Sequence, residues 1–340
     1  MFSDIDMYVN RIKGDTIFLE LNMVELPKLN EVKITGVKKS KIEGLIKDNN
    51  LTKNKIVNEA LQAAVKSNPS PIYSQNVVQQ ISTGNFDDDM SKIATCDWVI
   101  EVVVENLDIK KKVFEQVEQY RKPGTLITSN TSGIPIHLMA EGRSDDFKAN
   151  FCGTHFFNPP RYLRLLEIIP TPYTNPEIVD FLMYYGDKFL GKTTVLCKDT
   201  PAFIANRVGV YSIMALLHLV EKLDLTVEEV DKFTGPALGR PKSATFRTSD
   251  VVGLDTMIKV AKGLHDNVPN DKAHDLFKLP AYVEKMAENN WLGDKTKQGF
   301  YKKTKNAEGK SEILALDLKT LEYKPQQKIK SATLEMTKTI

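Results

Sequence analysis

In the stretch GTHFFNPPRYLRLLEIIP, residues 153–170, His155 stands beside two phenylalanines and Glu167 lies inside the apolar run LRLLEII. A lone polar side chain in apolar surroundings costs free energy unless it is paired. Two outcomes are open. The two groups satisfy each other in a core, or the acid orients the imidazole so that its second nitrogen can take a proton from a substrate. Other residues are less distinctive on their own. Ser132, the second serine of SNTS, follows a β-prone run, where a turn serine is commonplace. Asn206, in FIANR, reads as a helix-face asparagine, and ENLDIKKK, with Glu105 and Lys110, reads as a solvated helix start.

These side chains need a frame. CDWVIEVVVEN, residues 96–106, is almost continuously β-rich, as expected of a buried parallel strand. LDIKKKVFEQVEQYRKPG has the periodicity of an amphipathic helix stopped at Pro-Gly, and TLITSNTSGIPI is a strand running into a turn. FCGTHFF, LRLLEIIP and KTTVLCKD are three more β-prone runs, and residues 54–66, NKIVNEALQAAVK, have helical spacing up to SNPSP. Strands alternating with helices predict an α/β sheet domain. After DTP at 199–201 the pattern turns helical. AFIANRVGVYSIMALLHLVEKL is a long apolar-rich helix, Thr226 and Glu229 have capping-box spacing, and helical segments follow at 254–264 and 280–290. A boundary is expected near 198–201. It divides a sheet domain, 1–198, from a helical domain, 199–305, and a polar, lysine-rich extension follows over 306–340.

Hydrophobic residues make up 41% of the 340-residue chain and charged ones 26%, proportions of a globular protein able to bury two cores. A net charge of +2 without a long basic run gives no field suited to nucleic acid or an anionic membrane. Cys96, Cys152 and Cys197 form no CxxC pair or Cys/His cluster, so neither a metal site nor a disulfide framework is expected. No apolar run approaches membrane-helix length, and MFSDIDMYVNRIKGD lacks a signal-peptide core. The chain reads as cytoplasmic.

Four stretches in order, EVVVENLDIKKKVFEQV, TSNTSGIPI, GTHFFNPPRYLRLLEIIP and CKDTPAFIANRVGVY, resemble the L-3-hydroxyacyl-CoA dehydrogenases. The likeness is greatest to the long bacterial fused forms that also carry an enoyl-CoA hydratase part. It runs from about residue 54 to about residue 325, including GLDT at 253–256 and the QGFYKK end of the helical domain. The resemblance implies a Rossmann-like parallel sheet domain followed by an all-helical domain for substrate binding and dimerisation. It implies NAD as cofactor, an acyl-CoA as substrate, and oxidation of L-3-hydroxyacyl-CoA to 3-oxoacyl-CoA in fatty acid β-oxidation. A homodimer or part of a larger fused enzyme is expected, with no nucleic-acid partner and no membrane insertion.

The same resemblance assigns roles. His155 is the base that takes the hydroxyl proton, oriented by Glu167. Ser132 bonds the reacting oxygen near the nicotinamide. Asn206 faces the acyl substrate, where its amide can donate to an enolate-like oxygen. Val103, Val104, Glu105 and Lys110 correspond to the cofactor-side edge, beyond the carboxyl end of a strand, where open α/β sheets bind ligands. Asn158 and Lys295 carry over to the cofactor side as well, and Lys297 stands where the family usually has glycine.

A dinucleotide fold also needs a strand, then G-x-G-x-x-G, then a helix N-terminus for the pyrophosphate. In residues 1–60 the glycines are Gly14, Gly36 and Gly44, and no two have that spacing. EVKITGVKKSKIEGLIK imitates the motif with lysines where backbone must approach phosphate. TIFLELNMVELP is placed as the second strand, with Asn22 where an aspartate would grip the ribose and Glu20 nearby. The sheet domain is therefore expected to be incomplete at its N-terminus, as a truncated or mis-started reading frame would leave it, with NAD binding impaired. The alternative is a non-catalytic acyl-CoA-binding or assembly remnant.

Overall fold

The computed structural model describes residues 54–72, 74–306 and 308–331, and the backbone of 7–10 and 17–21. The chain divides into two compact units, one ending at Phe203 and the other starting at Ile204.

In the first unit, β1 (Met7–Asn10) pairs antiparallel with β2 (Ile17–Leu21). Helix α1 (Lys55–Lys66) leads to the short β3 (Ile81–Ser82), which pairs parallel with β2. A second sheet has the order β4 (Trp98–Glu101), β5 (Leu126–Ser129), β6 (Phe151–Phe156), β7 (Leu165–Pro170), β8 (Thr193–Leu196). Helix α2 (Leu107–Tyr120) joins β4 to β5, and the short α3 (Ile136–Met139) and α4 (Asp145–Ala149) lie between β5 and β6. Helix α5 (Pro176–Lys188) joins β7 to β8.

The strands alternate their side chains between two apolar layers, as a pleat requires. Val99, Ile127 and Phe151 pack with Phe114, Val117, Met139 and Phe147 on one face, and Trp98, Ile100, Leu126 and Cys152 with Leu166, Ile168 and Leu182 on the other. The rings of Phe114 and Phe151 meet edge-on with centres 5.1 Å apart, which seats α2 on the sheet. Asn106 caps α2 by accepting the Ile109 N–H at 3.1 Å.

The sheet is mixed rather than uniformly parallel. β4, β5 and β6 are parallel, β7 runs antiparallel to β6, and β8 is parallel to β7. The reason is the short link 157–164. A parallel return needs a crossover of about a dozen residues or more, whereas a short link returns the chain antiparallel.

The second unit contains α6 (Ala205–Leu223), α7 (Val227–Thr234), α8 (Phe246–Val252), α9 (Leu254–Asn267) and α10 (Ala281–Glu288). The capping box on α7 is formed by Thr226 and Glu229 in both directions, at 3.2 and 2.8 Å. The segment expected as a polar extension is structured over its described part. β9 (Tyr301–Lys305), β10 (Ser311–Leu316) and β11 (Tyr323–Pro325) form an antiparallel sheet with β10 in the middle. Ala315 and Leu316 of β10 are buried, and the surrounding lysines concealed that strand in the sequence. Asp250 at the end of α8 ties this sheet to the helices by accepting the N–H groups of Phe300 and Tyr301, both at 2.8 Å. Gly293 makes the approach feasible: at φ +100°, a Cβ there would lie 2.2 Å from the Asp250 carbonyl oxygen. Among the described residues no helix is long and apolar enough to cross a membrane.

Candidate active site

Because β4, β5 and β6 run in one direction, the segments that follow them emerge on a single edge. There Val102, Val103, Glu105, Lys110, Asn130, Ser132, His155, Phe156, Phe157 and Asn158 line a cleft of about 240 Å³. The cleft thus gathers six residues singled out in the sequence: Val103, Glu105, Lys110, Ser132, His155 and Asn158.

Strand register explains the His155–Glu167 spacing. The two residues are directly opposed across β6 and β7, so their side chains share one face of the sheet. His155 Nδ1 and Glu167 Oε2 are 2.7 Å apart, with His155 5% exposed and Glu167 fully buried. In the neutral imidazole, a carboxylate at this distance accepts from Nδ1–H, and Nε2 is then the ring nitrogen able to take a proton. The imidazole packs against Phe157, ring centres 4.4 Å apart, and Phe203, at 5.7 Å. Asn130 accepts the Phe156 N–H at 2.9 Å, joining the ends of β5 and β6 beside the histidine.

On the β4 side, Lys110 is not a solvated helix-start charge. It is 1% exposed, and its Nζ donates to both oxygens of buried Glu101, at 2.8 and 3.1 Å, and to the Val103 carbonyl at 3.1 Å. Glu101 also accepts the Val103 N–H at 2.5 Å and the Ser129 hydroxyl at 2.6 Å. Glu105 accepts the Thr131 hydroxyl at 2.6 Å and the N–H groups of Ser132 and Gly133 at 3.1 and 3.0 Å. Its other oxygen lies 3.5 Å from Lys110 Nζ. Burial would raise the Glu105 carboxyl, but the Lys110 charge and these hydrogen bonds outweigh it and hold the group below its ordinary value. The network therefore fixes the turn that presents Ser132.

Sequence reasoning missed Glu101, Ser129 and Thr131. Glu101 carried the same signal as Glu167, an acid inside an apolar run, in WVIEVVV. It also missed Lys192, a buried side chain that donates to the carbonyls of Pro160 and Leu163 and so clamps the loop after Asn158. Val104 is half-buried and is not among the residues lining the cleft. Asn206 and Lys295 belong to the second unit, where Asn206 opens α6 and Lys295 forms an ion pair with Asp255. The segment searched for a glycine-rich loop falls largely outside the described residues, as do Gly14, Gly36, Gly44, Asn22 and the side chain of Glu20.

Residues 31–200 match the sequence model of the 3-hydroxyacyl-CoA dehydrogenase NAD binding domain, and residues 203–303 match the 3-hydroxyacyl-CoA dehydrogenase C-terminal domain. The chain belongs to the 3-hydroxyacyl-CoA dehydrogenase family. NAD, expected from the sequence, is the cofactor of the family domain that holds the cleft. A probable 3-hydroxyacyl-CoA dehydrogenase of Bacillus subtilis is 48% identical over 301 residues, which are 88% of this chain and 37% of that protein. This chain thus spans little more than a third of that relative's length. A probable 3-hydroxyacyl-CoA dehydrogenase of Deinococcus radiodurans is 44% identical over 254 residues, 75% of this chain and 72% of that one. Among solved structures, FadB2 of M. tuberculosis is similar, with a TM-score of 0.61 and 28% identity, over 73% of this chain and 85% of that one.

Proposed function

We propose that this chain oxidises L-3-hydroxyacyl-CoA to 3-oxoacyl-CoA with NAD, the dehydrogenation of fatty acid β-oxidation, using His155 as general base and Glu167 as the group that orients it. The observation that carries this reading is the buried His155–Glu167 bond of 2.7 Å at a cleft beyond the carboxyl ends of three parallel strands. Nε2 takes the proton of the C3 hydroxyl, and the Glu167 carboxylate stabilises the imidazolium that results. Ser132 polarises that hydroxyl from a turn held by Glu105.

The cleft residues fit the nicotinamide end of NAD. Val102 and Val103 offer an apolar edge to a ring face, and Glu105, kept ionised, offers an acceptor for ribose hydroxyls. Asn158 lines the same cleft and contributes a polar amide. Bound NAD would supply the hydride acceptor. Lys110 acts from behind by holding Glu101 and Glu105 in place. In this reading the first unit is the cofactor domain, and the second is the substrate and dimerisation domain, with Asn206 facing the acyl group and Lys295 serving the cofactor side. The protein works in the cytoplasm, as a homodimer or within a longer fused enzyme.

The test is NADH formation from a short L-3-hydroxyacyl-CoA, wild type against His155→Ala. Turnover in the wild type and its loss in the variant is the expected result. Acyl-CoA binding with no detectable NAD binding, by calorimetry, would instead favour the non-catalytic remnant.

A further inference from the structure

The second unit has a groove of about 1000 Å³ between α7, α8 and β9–β10, of the size that small-molecule ligands occupy. Its wall carries five cationic side chains, Lys232, Lys242, Arg247, Lys297 and Lys303, and two acids, Asp231 and Asp294. Both acids are already engaged. Asp294 takes the Arg247 guanidinium through two bonds, at 2.6 and 2.8 Å. Asp231 accepts the N–H groups of Thr245, Phe246 and Arg247 and the Tyr301 hydroxyl. The four lysines have no ion-pair partner among the described residues. Four like charges on the wall of one groove give it a positive potential that favours an anion.

We propose that this groove binds a nucleotide-type ligand bearing at least two phosphate groups. Lysine ammonium groups recognise phosphate as point charges, and four of them match the charge of two phosphates. Pro236, Ala237 and Ile313 on the same wall give an apolar surface on which a base can rest. Lys297 is placed by its turn. Its backbone is left-handed, at φ +62°, and ends the turn over 294–296, which carries this fourth lysine to the edge of the groove. The inference concerns the second unit alone and does not depend on the catalytic reading of the first.

Calorimetric titration of the whole chain at low salt tests it. Adenosine 3′,5′-bisphosphate and ATP are the probes, run with saturating NADH to fill the dinucleotide site. The first represents the 3′-phosphorylated handle that acyl-CoA carries, the second a free nucleotide. Either one binding supports the site and identifies the source. Lys242→Gln should weaken binding by about threefold to fivefold, and Lys242→Gln/Lys303→Gln by roughly the square of that factor. These are exposed positions, and matching unfolding curves would show that the variants fold. No binding to the wild type, or equal affinity in the double variant, overturns the proposal. Equally tight binding of inorganic tripolyphosphate overturns its nucleotide part. His155→Ala should abolish turnover and leave this binding intact, so the two proposals fail separately.

Discussion

Replacing Glu167 by glutamine asks directly whether its charge serves the imidazole. The acid is fully buried and 2.7 Å from Nδ1, so a charge-assisted hydrogen bond is at stake. Bonds of that kind contribute about 1.5–3 kcal/mol net, against about 0.5–1.5 kcal/mol for a neutral one. The amide oxygen of glutamine can still accept Nδ1–H, so the tautomer and ring orientation persist. What disappears is the negative charge facing the imidazolium as it forms. The difference of about 1–2 kcal/mol corresponds to a fall in kcat of roughly fivefold to thirtyfold. Because that charge matters only as the proton moves, kcat and kcat/KM should fall together with KM steady. NADH formation measures the first and urea unfolding supplies the control. A folded Glu167→Gln protein with kcat within about twofold of wild type would refute the reasoning and leave the pair a core contact.

Three other outcomes follow from buried charge and backbone. Lys110→Met strands Glu101 as an unpaired buried carboxylate and should cost about 3–5 kcal/mol, whereas Glu101→Gln/Lys110→Met should recover much of that loss in urea titrations. Equal losses in the single and double variants would show that charge is not the cause. Asp250 is pushed up by burial to about 6 from an ordinary 3.8, against the opposing pull of the Phe300 and Tyr301 N–H groups. Between those two pH values the folded state holds a proton that the unfolded chain has released, so this group's contribution to stability falls as pH rises through that window. The loss is up to about 3 kcal/mol. The stability difference between wild type and Asp250→Asn should therefore decline from pH 4 to pH 6, and a flat difference would refute it. Lys297→Gly relieves a left-handed lysine and should stabilise the chain by about 1 kcal/mol in thermal unfolding; a lower midpoint would show that the backbone there is unstrained.

Periodicity and capping chemistry in the sequence were enough to place β4 through β8, α2, the long α6 and the capping box at Thr226. The desolvation cost of a lone polar residue was enough to single out His155 and Glu167. Both signals are local: side-chain spacing along one segment and the free energy of one buried group. Tertiary structure decided whatever depends on a distant partner. It placed Glu167 opposite His155 through the β6–β7 register, and it reversed β7 through a link too short for a crossover. It chose Lys110, out of the run 110–112, as the lysine that turns inward onto Glu101. It also made a sheet of a lysine-rich tail, because alternation in β10 has meaning only once β9 and β11 lie on either side. A strand's neighbours and a buried ion's counter-ion are settled by which surfaces pack together, and no pattern within one segment encodes that choice.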